Sequence, residues 1–194
     1  MVIDENARTI CLKFVFVGPA LAGKMTVIRH IHDFIALQAI HGGLHWGGPN
    51  SLYFNPPGTP MLGGLTLWLH LHIAAVPAAP TDDWLRAPLE NADGIVFVAD
   101  SQSERLAANG EILVQMNAVL AGRPPIPRAF WFNKRDCPSA LPCDVLAAAL
   151  TTPGDDYWLT EAIHGVEVMA AFRMSFAWVY EATCQRLHAQ RRPR

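Results

Sequence analysis

The feature that most constrains this chain is a run of apolar and β-branched residues, Leu12, Phe14, Val15, Phe16 and Val17, that opens into Gly18-Pro19-Ala20-Leu21-Ala22-Gly23-Lys24-Met25-Thr26. Apolar positions then recur with helical spacing at Val27, Ile28, Ile31, Phe34, Ile35 and Leu37. A buried strand, a glycine-bounded loop and a helix in that order are the setting of a phosphate-binding loop. Glycines let the backbone curl around an anion, the first N–H groups of the helix lack partners, and the helix dipole favours negative charge there. Lys24 adds a point charge. The pattern Gly-x4-Gly-Lys ordinarily continues with Ser or Thr, whose hydroxyl meets Mg²⁺. Here Met25 holds that place, and Thr26, the one possible metal-facing hydroxyl, stands one residue late. Taken alone, an ordinary glycine turn between strand and helix explains the loop equally well.

A second motif separates these readings. After Ala129, Phe130, Trp131 and Phe132, a strand-like run, comes Asn133-Lys134-Arg135-Asp136, the pattern of a guanine-recognition loop at the usual distance downstream of a phosphate loop. The chemistry requires those residue types. Asp136 would accept hydrogen bonds from the N1–H and the exocyclic amine of guanine, Asn133 would tie the loop to the base edge, and the stem of Lys134 would lie over the ring. Adenine offers no such donor pair. A buried acceptor left unpaired is costly, so a site of this kind rejects the wrong base by a factor on the order of 10⁴.

These two blocks, with Gly94-Ile95-Val96-Phe97-Val98-Ala99-Asp100-Ser101-Gln102 between them, resemble the bacterial MglA branch of the Ras-like small GTPases, from about Ile10 to the last helix. The resemblance implies an α/β, three-layer P-loop G domain around a mostly parallel six-stranded sheet, binding GTP or GDP. It assigns phosphate contacts to Gly18, Leu21, Ala22, Gly23, Lys24, Met25 and Thr26. Guanine contacts fall to Asn133, Lys134 and Asp136, with the N–H of Ala162 in Thr160-Glu161-Ala162 on the guanine O6. The same resemblance exposes losses. The threonine of the first switch falls at Gly47 or Gly48. Ala75-Val76-Pro77-Ala78-Ala79 stands where the family carries Thr-Val-Pro-Gly-Gln, so Ala78 replaces the glycine that meets the γ-phosphate and Ala79 the glutamine that orients water. The implied protein is a pseudo-GTPase with Mg²⁺ in doubt, acting through protein partners such as a Roadblock-fold, MglB-like activator in cell polarity or motility. A working GTPase switch and a scaffold without nucleotide are the alternatives.

The remaining chain is consistent with one domain over 10–188, a polar extension over 1–9 and a basic tail over 189–194 that contains Arg191, Arg192 and Arg194. The first helix is expected over 24–40 and a glycine-rich loop over 41–50. Short strands should follow over 51–54 and 65–73, the second with Leu67, Leu69, Leu71 and Ile73 on one face. Its other face carries His70 and His72; they share a side, but without a third ligand nearby a half-exposed strand accounts for them. A strand over 94–99, helices over 103–120 and 141–150, a strand over 157–159 and a closing helix over 166–187 complete the reading. Pro124 to Pro127 has polyproline spacing and also suits a stiff helix-to-strand connection.

Fifteen basic and seventeen acidic side chains leave a net charge of −2, so composition gives no pull toward nucleic acid or an anionic membrane. No apolar run is long enough for a membrane span, and four cysteines without metal or disulfide spacing fit a reducing cytoplasm. Trp46, Tyr53 and Trp84 are the aromatic candidates for a partner surface.

Overall fold

A computed structural model of the chain describes residues 1–38, 43–58, 61–81 and 83–190. Its centre is a sheet in the order β3-β4-β5-β2-β6-β7-β8, formed by Leu44–Trp46, Ser51–Phe54, Thr66–Ile73, Thr9–Val17, Gly94–Asp100, Arg128–Asn133 and Tyr157–Leu159. Strands β5, β2, β6, β7 and β8 run parallel, while β3 and β4 form an antiparallel edge. Parallel strands flanked by helices bury both faces and therefore read as continuous apolar runs, as β6 does with every residue buried. Along β2 the faces alternate. Ile10, Leu12, Phe14 and Phe16 pack in the cluster that includes α1 (Lys24–Gln38) and α5 (Val168–Gln190), and Val15 and Val17 pack in the cluster that includes α2 (Arg86–Leu89), α3 (Leu106–Leu120) and α4 (Cys143–Leu150). The three-layer α/β architecture with a mostly parallel sheet is therefore present.

The sheet has eight strands rather than the six expected, and both additions lie where composition hid them. Val2–Asp4 forms β1, antiparallel to β2 with Val2 opposite Cys11, so residues 1–9 are not a free extension. β1 occupies the side of β2 below the start of β6, which pairs only from Phe14 onward. Leu44–Trp46, read as loop because glycines flank it, is β3. Three residues are too few to show a strand period, and this strand is held through cross-strand contacts instead. His45 stacks on Tyr53 at 5.3 Å, and Trp46 lies 5.5 Å from the His32 ring of α1.

The helices shift by less. The segment expected as one helix over 103–120 begins with a 3₁₀ turn, Ser103–Arg105, before α3. α5 continues through Gln190, so positions 189 and 190 belong to it and not to a tail. The expected end of α1 at Ile40, and Arg191, Arg192 and Arg194, lie outside the described residues.

Candidate functional site

At the carboxyl end of β2 the chain turns through the loop into α1, and two glycines permit the turn. Gly18 has φ 147° and any Cβ there would run into the Val98 carbonyl of β6; Gly23 has φ 96° and its Cβ would run into the Asn133 amide. A side chain at either position would push the loop off the sheet. The α1 ladder opens with the Val27 N–H donating to the Gly23 carbonyl at 2.9 Å, so the N–H groups ahead of it have no helical acceptor and face the loop. Leu21 sits in the left-handed region at φ 65° with 85% of its surface exposed.

Two cavities meet at this helix end. One, of about 390 Å³, is lined by Ala20, Leu21, Gly23, Lys24, Met25 and Thr26 of the loop together with Asn50, Ile73, Ala75 and Val76, while Gly18 and the buried Ala22 do not line it. The other, of about 150 Å³, is lined by Thr26, Asn133, Lys134, Asp136, Cys137, Ala162 and Ile163. Thr26 lines both, so the phosphate-loop residues and the guanine-motif residues line adjoining cavities at one end of the sheet. Asp136 is exposed at its mouth.

Asn133 is the joint between the halves. Its Nδ2 donates to the Ala22 carbonyl at 2.8 Å, and its Oδ1 accepts from the Thr160 hydroxyl at 3.1 Å and from the Ala162 N–H at 2.9 Å. One buried amide thus fixes the phosphate loop, the end of β7 and the 160–162 loop together. The Ala162 N–H, expected to be free for guanine O6, is already committed to Asn133. Ala162 is 2% exposed, and a buried N–H needs a partner.

Sequence reasoning missed a second joint, Asp100. It ends β6 fully buried and accepts from Lys134 Nζ at 2.7 Å and from the Gln102 N–H at 3.2 Å. Arg105 Nε stands 3.8 Å from the same carboxylate, while its Nη2 donates to the Ala20 carbonyl at 2.9 Å. The buried Asn109 side chain clamps the Asp100 backbone through its N–H and carbonyl, at 3.0 and 2.8 Å. Lys134, at φ 63°, therefore runs its stem toward Asp100. The signal was available: Asp100 is the one carboxylate within an otherwise apolar strand, and a buried charge demands partners.

Lys24 is 7% exposed and turns onto the Gly18 and Pro19 carbonyls, both at 2.7 Å. Burial lowers its pKa to about 8. A polyphosphate held beside it favours the charged amine, so the pKa should rise on binding. Affinity should then be flat below about pH 8 and fall as pH rises above it, by at most about tenfold per unit. Calorimetry in two buffers at about pH 8.5 should record proton uptake with nucleotide; proton release there would contradict this account.

The switch positions fall in unexpected places. Gly47 and Gly48 form the β3–β4 turn, and neither lines the phosphate cavity; Asn50 does, with its carbonyl accepting the Ile73 N–H at 2.8 Å. Ala78 and Ala79 are exposed and do not line it, whereas Ala75 and Val76 do. Mg²⁺ demands oxygen ligands in octahedral geometry. Among the described residues the cavity offers one hydroxyl, Thr26, one amide, Asn50, and no carboxylate, with the Met25 thioether at the place of the usual hydroxyl. That donor set is a poor match for magnesium, which beside phosphate and water oxygens would find only Thr26, one residue late, and Asn50.

His70 and His72 lie away from the cleft and share the Ser51 hydroxyl, at 3.1 and 3.0 Å. Burial, then His72 and Lys13, lower the His70 pKa to about 4. Of the aromatic candidates, Trp46 is 39% exposed, whereas Tyr53 is half-buried between His45 and His70 and Trp84 donates to Gln115 at 2.8 Å. Among the described residues no helix is long and apolar enough to cross a membrane.

The chain matches no family model. It is similar to the mutual gliding-motility protein MglA of Myxococcus xanthus (strain DK1622), with 33% identity over 157 residues, covering 76% of this chain and 80% of that protein.

Proposed function

The chain belongs to the MglA family of Ras-like small GTPases, and from that premise we propose that it is a pseudo-GTPase that binds GTP or GDP, hydrolyses GTP extremely slowly or not at all, and acts through protein partners. Membership in the family carries guanine-nucleotide binding as its general property. What supports retained binding in this chain is above all the Asn133 amide, which locks the guanine loop to the phosphate loop at Ala22. Asp136 reads the base, Lys134 covers it, and Lys24 with the free N–H groups of the α1 start holds the phosphates.

What supports lost hydrolysis is the lining of the phosphate cavity. Phosphoryl transfer depends on positioning and on stabilising charge at the γ-phosphate and the attacking water. Met25, Ala75 and Val76 supply neither, and among the described residues Asn50 is the one polar residue that the β3–β4 turn adds to the lining. A chain that holds nucleotide without turning it over has recognition as its output. The partner is then a protein that reads the surface around Trp46, with a Roadblock-fold activator the first candidate, and the setting is the cytoplasm, in cell polarity or motility.

The test is the nucleotide released on denaturing the purified protein, followed by single-turnover hydrolysis with and without EDTA. Bound GTP with no turnover is the expected result. Rapid Mg²⁺-dependent turnover would make the protein a working switch with a rebuilt site, and no nucleotide on the protein, with none taken up on titration, would leave a scaffold.

A further inference from the structure

The groove beside the phosphate cavity carries a second cation besides the Lys24 of the cavity itself. It measures about 630 Å³ and is lined by Met25, Arg29, His32, Trp46, Gly48 and Pro49. Met25, Arg29 and His32 stand at i, i+4 and i+7 of α1 and so form one stripe. Met25 also lines the phosphate cavity, so the two spaces share its side chain as a wall.

The cations around the loop are otherwise engaged. Lys24 is turned onto two loop carbonyls, and Arg105 is held between Ala20 and Asp100. His32 pairs with Asp33 at 2.9 Å and lies beside the Trp46 ring. Arg29 is exposed and makes no hydrogen bond or ion pair through its side chain with any described residue. Long side chains on a helix lean toward its amino end, which for Arg29 is the direction of Met25 and the phosphate loop. At about 1.5 Å of rise per residue the two positions are roughly 6 Å apart along the axis, a distance an extended arginine outruns.

Polyphosphates need a countercharge beyond one lysine, and the donor set here is a poor match for magnesium. A guanidinium needs no oxygen ligands; it offers a planar fork of donors that matches phosphate oxygens, and its weakly hydrated face tolerates a thioether beneath it. We infer that Arg29 reaches over Met25 to the terminal phosphates of the bound guanine nucleotide and takes the charge-neutralising place of magnesium. This rests on the nucleotide-binding reading above.

The experiment is titration with fluorescent GDP and GTP, in EDTA and in excess Mg²⁺, for wild type, Arg29→Ala and Arg29→Lys, with thermal melts to confirm that the exposed substitutions leave the fold intact. Wild type should bind with the same affinity in EDTA as in Mg²⁺. Arg29→Ala should lose roughly 10- to 100-fold in EDTA, the value of charge-assisted hydrogen bonds to phosphate, with the larger loss for GTP because it carries one more negative charge. Arg29→Lys should recover part of it. Tight wild-type binding in EDTA that Arg29→Ala leaves unchanged would overturn the role of Arg29 while the nucleotide-binding reading stands. Wild-type binding that collapses in EDTA would overturn it too, by showing that the metal is needed. Failure of wild type to bind any guanine nucleotide would remove both.

Discussion

Asp136→Asn should convert a guanine site into a xanthine site, lowering guanine affinity by a factor on the order of 10⁴, about 5.5 kcal/mol. The argument begins with donor and acceptor counts. Ionised Asp136 is acceptor-only, and guanine presents two donors, the N1–H and the exocyclic amine. Asparagine keeps one acceptor and brings an amide that donates, so its NH₂ would oppose the guanine amine and face instead the carbonyl that xanthine carries at that carbon. Asp136 lines the cavity at its exposed mouth, where the structure gives it no hydrogen-bond or ion-pair partner among the described residues. The substitution should therefore leave the melting temperature nearly unchanged, which separates recognition from folding. Competitive titration with guanosine and xanthosine diphosphates reads the exchange. A variant that still prefers guanine would show that the base is read by other groups in this cleft.

The parts of this site that were legible in the sequence are those whose chemistry is local. Gly18, Gly23 and Lys24 are adjacent along the chain because a loop between one strand and one helix makes the whole phosphate cradle, and residues 133–136 are adjacent for the same reason at β7. The central strands were legible because burial on both faces writes long apolar runs. What could not be read depends on which strands become neighbours. Asn50 enters the phosphate cavity only because the β3–β4 turn folds back beside Ile73, and nothing in His41-Gly42-Gly43-Leu44 announces a strand. The resemblance puts the switch threonine at Gly47 or Gly48, two or three residues short of Asn50, the residue of this turn that lines the cavity. Arg29 carries no signal in the sequence, since a lone arginine on a helix surface is ordinary; its interest comes from the groove it shares with Met25. β1 was missed because three residues among polar ones carry no period, although β2 leaves half its length on that side unpaired until β6 begins.

Asp100→Ala should both destabilise the protein and weaken nucleotide binding, and the coincidence of the two effects is the content of the prediction. The carboxylate is fully buried at the end of β6, and its partners arrive from three directions: Lys134 of the guanine loop, Arg105 bonded to the phosphate loop, and the Gln102 N–H. Removing one member of a buried pair typically costs 3–5 kcal/mol because the other charge is left behind. Here the lower end applies, about 3 kcal/mol, since Lys134 and Arg105 keep 27% and 34% of their side-chain surface in water and can rehydrate. For a domain of this size that lowers the melting temperature by roughly 6–12 °C. Lys134 would then swing free of the position that holds its stem along the cleft, and Arg105 would lose the carboxylate that aims it at Ala20, so guanine-nucleotide affinity should drop by about tenfold or more. Asp155→Ala is the control. It breaks the Arg128 pair, 12% and 30% exposed at 3.0 Å, at the opposite end of β7, and should cost stability without touching affinity. If the two variants lose stability alike and both bind nucleotide as wild type does, Asp100 is a folding residue only, and the guanine and phosphate loops are held together by Asn133 alone.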